Sequence, residues 1–509
     1  MTVMVGDGAL RRAQVVAVAR DFEPVEVARV ARERLSERRG VIDALVASGT
    51  PVYGVSTGFG ALASTFISPE RRRDLQRSLI RSHAAGVGAE VEVEVVRAMM
   101  LSRLSNLCSG VSGVRVETAL AYAGMLNAAI TPVVHEFGSL GASGDLAPLA
   151  HVALALSGEG DVRDAGGRRV LASTALAEAG LAPVVLAEKE GLALINGTDG
   201  TLGQLVLALA DLESLYRVAD VAAAMSVEAL RGTDRVFAPD IQALRPHPGQ
   251  RDSAANMAAL LAGSPIVASH LQDVRQVQDA YSLRCAPQVH GAGRDTLAHA
   301  TRVADIELAS AIDNPSILPD GRLASNGNFH GAPVGYVLDF LAIALADVAS
   351  ISERRTDRLL DADRSFGLSP FLAHQAGVDS GLMIAQYSQA ALVSELKRLA
   401  VPASVDSIPS SGMQEDHVSM SWHAARKLRR GIEAARDVLA IELLGAARAL
   451  ALRAPLAPGP VTAALAERIN SLSGGPGHDR WLAPEIASVG ELVRNGELLE
   501  IVARHVTLA

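Results

Sequence analysis

Cysteine, lysine and aromatic residues are all scarce in this chain of 509 residues. Its two cysteines, Cys108 and Cys285, are too few for a disulfide framework, so a reducing cytoplasm is the simplest setting. Lysine occurs only as Lys189, Lys397 and Lys427, and arginine supplies nearly all of the 47 basic side chains, a skew read as genome composition rather than phosphate binding. The 56 acidic residues outweigh them and leave a formal charge of −9, which argues against a nucleic-acid partner. With aromatics at 3%, Leu, Ala and Val must fill most of the core. Asp7, Arg11 and Arg12 interrupt any signal-peptide core, and the last four residues, Val506 to Ala509, are not a lipidation signal. The uncharged stretches Val46 to Pro69 and Thr118 to Val134 are broken by Gly, Ser, Thr, Asn or Pro, so no membrane span is expected and the protein reads as soluble.

What is present is apolar substance: 49% hydrophobic against 20% charged residues excludes disorder, collagen and coiled coil, and allows a large buried core. At about 150 residues per domain the length suggests roughly three domains, but long helical folds run on as single units, and two are expected here. Leu202, Leu205, Leu209, Leu212 and Leu215 recur at spacings of three and four, the mark of one buried helix face. Leu338, Leu341, Leu345, Val348 and Ile351 repeat the pattern. After the breaker Pro409-Ser410-Ser411-Gly412 it returns in Ala425, Leu428, Ile432, Ala435 and Leu439, with Arg426, Lys427, Arg429 and Arg430 on other faces. Three such helices imply a bundle over 201–509. Residues 1–200 are more broken, and Gly54 to Gly60, Ser139 to Gly144 and Asp161 to Arg169 read as loops of an N-terminal globular domain.

Common catalytic motifs are missing. There is no HExxH, CxxC or EF-hand loop, and the 13 histidines have no spacing that favours zinc, so no metal is expected. Gly141-Ala142-Ser143-Gly144-Asp145 comes near the GxSxG nucleophile elbow, but its fifth residue is Asp and no strand clearly precedes it, which leaves a serine hydrolase as a weak alternative. Gly138, Gly141 and Gly144 do not match the dinucleotide fingerprint. The tripeptide Ala142-Ser143-Gly144 proves nothing alone, since Ala47-Ser48-Gly49 repeats it in another setting. Its context, Gly138-Ser139-Leu140-Gly141-Ala142-Ser143-Gly144-Asp145-Leu146-Ala147-Pro148-Leu149-Ala150-His151, is far more specific, and it resembles the motif of the aromatic amino acid ammonia-lyases.

Further segments from Tyr53 to beyond Glu415 extend that resemblance over nearly the whole chain. It implies a mainly α fold of aspartase/fumarase-like architecture, an elongated central helical bundle with a globular N-terminal part. It also implies a methylidene-imidazolone (MIO) group formed autocatalytically from Ala142, Ser143 and Gly144, with no external cofactor. The residue types suit that chemistry, because a Gly amide nitrogen can approach the Ala carbonyl where a Cβ would hinder it, and the Ser hydroxyl is lost as water. A tightly held loop is needed to drive the closure.

Residue by residue, Tyr53-Gly54-Val55-Ser56-Thr57-Gly58-Phe59-Gly60 resembles the family's lid, with Tyr53 in the place of the base. His83, in Arg81 to Gly88, matches the substrate-selecting position, where members acting on histidine carry His. Asn196 lies in a strip that would bind the prosthetic ring or the substrate amine, and Asp199 stands where many relatives carry Gln. Gln278, Tyr281 and Arg284, three apart, would share one helix face, with the Arg284 fork on the substrate carboxylate. Phe329, in Ser325 to Gly331, would pack against the substrate. Glu415 stands where histidine-acting members set a glutamate against the imidazole. The activity implied is elimination of ammonia from L-histidine to trans-urocanate in a homotetramer whose sites are shared between subunits. The alternatives are a tyrosine or phenylalanine lyase, an aminomutase, or a helical scaffold without chemistry.

Overall fold

The computed structural model describes residues 2–48, 57–58, 65–270 and 277–509. Helices dominate them, and the strands among them form only small sheets of two or three members. The chain divides into two compact units: Met1–Ala208 with Ala300–Asp339 and Pro402–Arg426, and Leu209–His299 with Phe340–Val401 and Lys427–Ala509.

The first unit is built around the helix Val93–Cys108, buried on almost every face, as expected of a helix apolar all round. The helices Arg12–Arg20, Val116–Asn127 and Glu190–Ile195 pack against it. Its interior Arg97 is held by backbone carbonyls, donating to those of Val18 at 3.0 Å and Leu126 at 3.2 Å. Asp161 to Arg169, expected as a loop, is instead largely a hairpin in which Asp161–Arg163 pairs antiparallel with Arg169–Leu171. Only the turn remains irregular, closed by the Asp164 carboxylate accepting the amides of Gly166 and Arg168 at 2.9 Å each.

The three leucine-rich stripes lie on the helices Asp199–Ala229, Ala332–Leu360 and Ser421–Ala451, as their period predicts. Every member is buried except Ile351, which is half-buried. Arg429, off the apolar stripe, is also buried, and it pairs with Asp211 at 2.9 Å. In the second unit these helices are knotted by one carboxylate. Glu442 accepts from Ser226 at 2.7 Å, Ser352 at 2.6 Å, and both Nε and Nη2 of Arg355. The helix Ala332–Leu360 is long and apolar enough to cross a membrane, but 61% of its most apolar window is buried within the protein.

Candidate active site

Ala142, Ser143 and Gly144 sit in the turn just before the helix Leu146–Leu156, in the first unit. The backbone there is left-handed at Gly141 (φ +71°), Ser143 (φ +57°) and Gly144 (φ +83°), the last two being consecutive. Glycine is required by space as well: a Cβ on Gly144 would stand 2.1 Å from the Gly197 carbonyl oxygen, and one on Gly141 would stand 1.8 Å from that of Ser419. Ser143 has no such freedom and holds a conformation that side chains other than Gly, Asn and Asp seldom adopt. Asp145 anchors the turn. Its amide donates to the Gly197 carbonyl at 2.7 Å, and its carboxylate accepts from Ser139 Oγ at 2.9 Å and from the amide and hydroxyl of Thr201. Burial pushes this carboxyl up to about 6 despite those donors.

Behind the turn lies Asn196, fully buried and fully satisfied. Its Oδ1 accepts from Ser143 Oγ at 2.7 Å, and its Nδ2 donates to Asp313 Oδ1 and to the Asn314 carbonyl, each at 2.9 Å. Lys189 Nζ meets the other Asp313 oxygen at 2.5 Å, with both side chains wholly buried. Asp199 pairs with Arg103 at 2.9 Å, and Arg103 also donates to the Asn196 carbonyl at 2.9 Å. The acid at position 199 thus balances a buried guanidinium.

Three further candidates belong to the same unit. His83 closes the helix Arg72–His83 and is half-buried; its Nδ1 lies 2.9 Å from the Leu79 carbonyl, which makes Nδ1 the donor and leaves Nε2 the acceptor. Burial holds this imidazole below its ordinary pKa, partly offset by the Leu79 carbonyl and by the Glu415 charge. Glu415, half-buried, lies in the loop ahead of the helix Ser421–Ala451 rather than at its first turn, and Ser410 Oγ donates to it at 2.9 Å. Ser419, four residues on, joins this loop to two others, because its carbonyl crowds Gly141 and its hydroxyl accepts the Gly331 amide at 3.1 Å. Phe329, half-buried, rides on that last loop, which Asn326 pins by donating to the Asp313 carbonyl at 3.0 Å. Tyr53 lies outside the described residues.

Gln278, Tyr281 and Arg284 belong to the second unit. They do not share a helix: the helix is only Tyr281–Arg284, and Gln278 stands exposed before it. The reason is Asp279, whose carboxylate accepts the Thr233 amide at 2.7 Å, with Ala280 extended behind it. Arg284 lies over the exposed Tyr281 ring, 4.6 Å from its centroid, and donates to the Asp279 carbonyl at 3.0 Å. Sequence reasoning missed Asp313, Lys189, Arg103 and Ser419, whose partners are distant along the chain.

The turn thus sets a serine in the left-handed region beside Gly144, hydrogen-bonded to a buried asparagine, inside a helical fold. Residues 10–471 match the aromatic amino acid lyase family, and the chain belongs to that family as an ammonia-lyase. Among curated relatives, the histidine ammonia-lyase of Streptomyces avermitilis is 62% identical over 98% of each chain, and that of Sorangium cellulosum is 49% identical over 98% of each. Among solved structures, histidine ammonia-lyase from Trypanosoma cruzi superposes with TM-score 0.91 at 39% identity, covering 100% of this chain and 96% of that one. Tyrosine aminomutase from Streptomyces globisporus superposes with TM-score 0.95 at 37% identity over the whole of both chains. The fold is the helical aspartase/fumarase-like one.

Proposed function

We propose that this chain is a carbon–nitrogen lyase that eliminates ammonia from L-histidine without oxidation, giving trans-urocanate as the first step of histidine degradation. The observation that carries the reading is that the chain folds His83 and Glu415 into the same compact unit as Ser143. Together with the 62% identical histidine ammonia-lyase, it favours an imidazole over a phenyl ring. A carboxylate set against phenyl would go without a partner, whereas an imidazole N–H gives it one.

The residues fit an MIO group. The cradle around Gly144 has no room for a Cβ, and the Ser143 hydroxyl that would leave is already held by Asn196. Once formed, the ring supplies an electrophile that no ordinary side chain offers. This chain's residues do the rest. Tyr53 takes the β-proton, Arg284 fixes the carboxylate, His83 and Glu415 orient the imidazole, and Phe329 packs on it. Asn196, Gln278 and Tyr281 complete the polar surroundings. The protein works in the cytoplasm as a homotetramer with sites shared between subunits, a reading supported by exposed apolar side chains such as Ile343, Ile384 and Tyr387.

Incubation with L-histidine, L-tyrosine and L-phenylalanine in parallel tests the reading. Equimolar urocanate and ammonia from histidine alone is expected. A β-amino acid product, or turnover of tyrosine in preference, would replace it with the aminomutase or tyrosine reading that the Streptomyces globisporus likeness favours. In Ser143→Ala, activity should be lost with the fold retained.

A further inference from the structure

The chain of contacts behind Ser143 does not end at Asn196. A carboxamide carries a donor and an acceptor on two nearly isosteric arms, so it can turn over unless its surroundings choose. Here two acceptors, Asp313 Oδ1 and the Asn314 carbonyl, face the nitrogen arm at 2.9 Å each, and this leaves the oxygen arm to Ser143 Oγ at 2.7 Å. Asp313 can play this part while wholly buried because Lys189, equally buried, neutralises its second oxygen. Lys189 is itself held in the left-handed region at φ +75°, a strained setting for a residue with a side chain.

We infer that Asp313 and Lys189 are positioning residues for formation of the ring. The pair fixes the Asn196 amide so that its oxygen holds the Ser143 hydroxyl in place for departure. This rests on the MIO reading above. In the closure, the Gly144 nitrogen bonds to the Ala142 carbonyl carbon, whose oxygen leaves as water with the amide protons of Gly144 and Ser143. The Ser143 hydroxyl leaves as a second water with the Ser143 Cα proton. No oxidant is needed. Orientation of that hydroxyl matters to the second loss, and Asn196 with its two backing residues supplies it.

Two variants in one uncharged background test the inference: Lys189→Met with Asp313→Asn, and Lys189→Met with Asp313→Leu. Neither buries an unpaired charge, but only the first keeps a side-chain oxygen for Asn196. Ring content is read by intact mass, as the loss of two waters, and by near-ultraviolet difference absorbance. Thermal unfolding and far-ultraviolet circular dichroism report the fold independently. The Asn form should cyclise at close to the wild-type rate, and the Leu form about tenfold or more slowly, the effect of one oriented hydrogen bond. Equal cyclisation in two folded variants overturns the inference and leaves the pair a purely structural one. If either fails to fold, the single Asp313→Asn variant decides. Lys189 then claims the amide oxygen, the nitrogen arm turns toward Asn196, and a slowed ring is expected; a full ring content would refute the proposal. Wild-type protein without the mass loss would instead remove the MIO reading itself, so the two failures are distinguishable.

Discussion

The Glu442 knot gives the sharpest test of what holds the second unit together. Replacing Arg355 with Met keeps most of the side-chain volume and removes the guanidinium, leaving Glu442 with the hydroxyls of Ser226 and Ser352 as its remaining donors. Both members of the ion pair are 0% exposed, so solvent screening does not weaken it. Breaking a buried pair by removing one partner costs about 3–5 kcal/mol, and the two hydroxyls that still face the carboxylate place this case near the lower bound, about 3 kcal/mol. That is roughly a hundredfold in the unfolding equilibrium, read as a shift of the urea midpoint at unchanged slope. Adding Glu442→Gln removes the stranded charge, and the double variant should be more stable than Arg355→Met alone by about 1–2 kcal/mol. A loss below about 1 kcal/mol in the single variant, or a double variant as weak as the sum of both singles, would refute the reasoning.

Two further tests concern the turn. Burial raises the Asp145 carboxyl from an ordinary 3.8 to about 6, so the folded state favours its protonated form. Stability from this group is therefore present below the ordinary carboxyl range and lost as the pH climbs to 6 and beyond, by about 3 kcal/mol in all. Asp145→Asn should flatten that slope when unfolding free energy is measured between pH 4 and 7, and parallel curves would contradict it. In Gly144→Ala, the added Cβ meets the Gly197 carbonyl and the φ of +83° becomes unfavourable by about 1–2 kcal/mol, so the two-water mass loss should vanish while far-ultraviolet dichroism is kept. Full ring formation in that variant would show that the turn needs no glycine there.

How much of this was legible in the sequence depends on the range of the interaction. The leucine stripes of the long helices were readable because helix periodicity is local, and their members are buried as the spacing requires. The Ala142-Ser143-Gly144 turn was readable from its glycines, and the family resemblance drawn from its context agrees with the match over residues 10–471. Gln278 was misplaced onto a helix because spacing cannot reveal that Asp279 is held by the distant Thr233 amide. The Asp161 to Arg169 stretch looked like a loop because its turn residues masked two short strands.

Residue types and their local order alone decided that this chain is helical, that its core is aliphatic, and that Ser143 stands between a small residue and a glycine. Tertiary structure alone decided what surrounds that serine. Asp313 lies 124 residues from Lys189 and 117 from Asn196, and Arg103 lies 96 from Asp199. Charges so far apart in the chain meet only because burial makes an unpaired ion too costly to leave, and no pattern of neighbours records which partner the fold will bring.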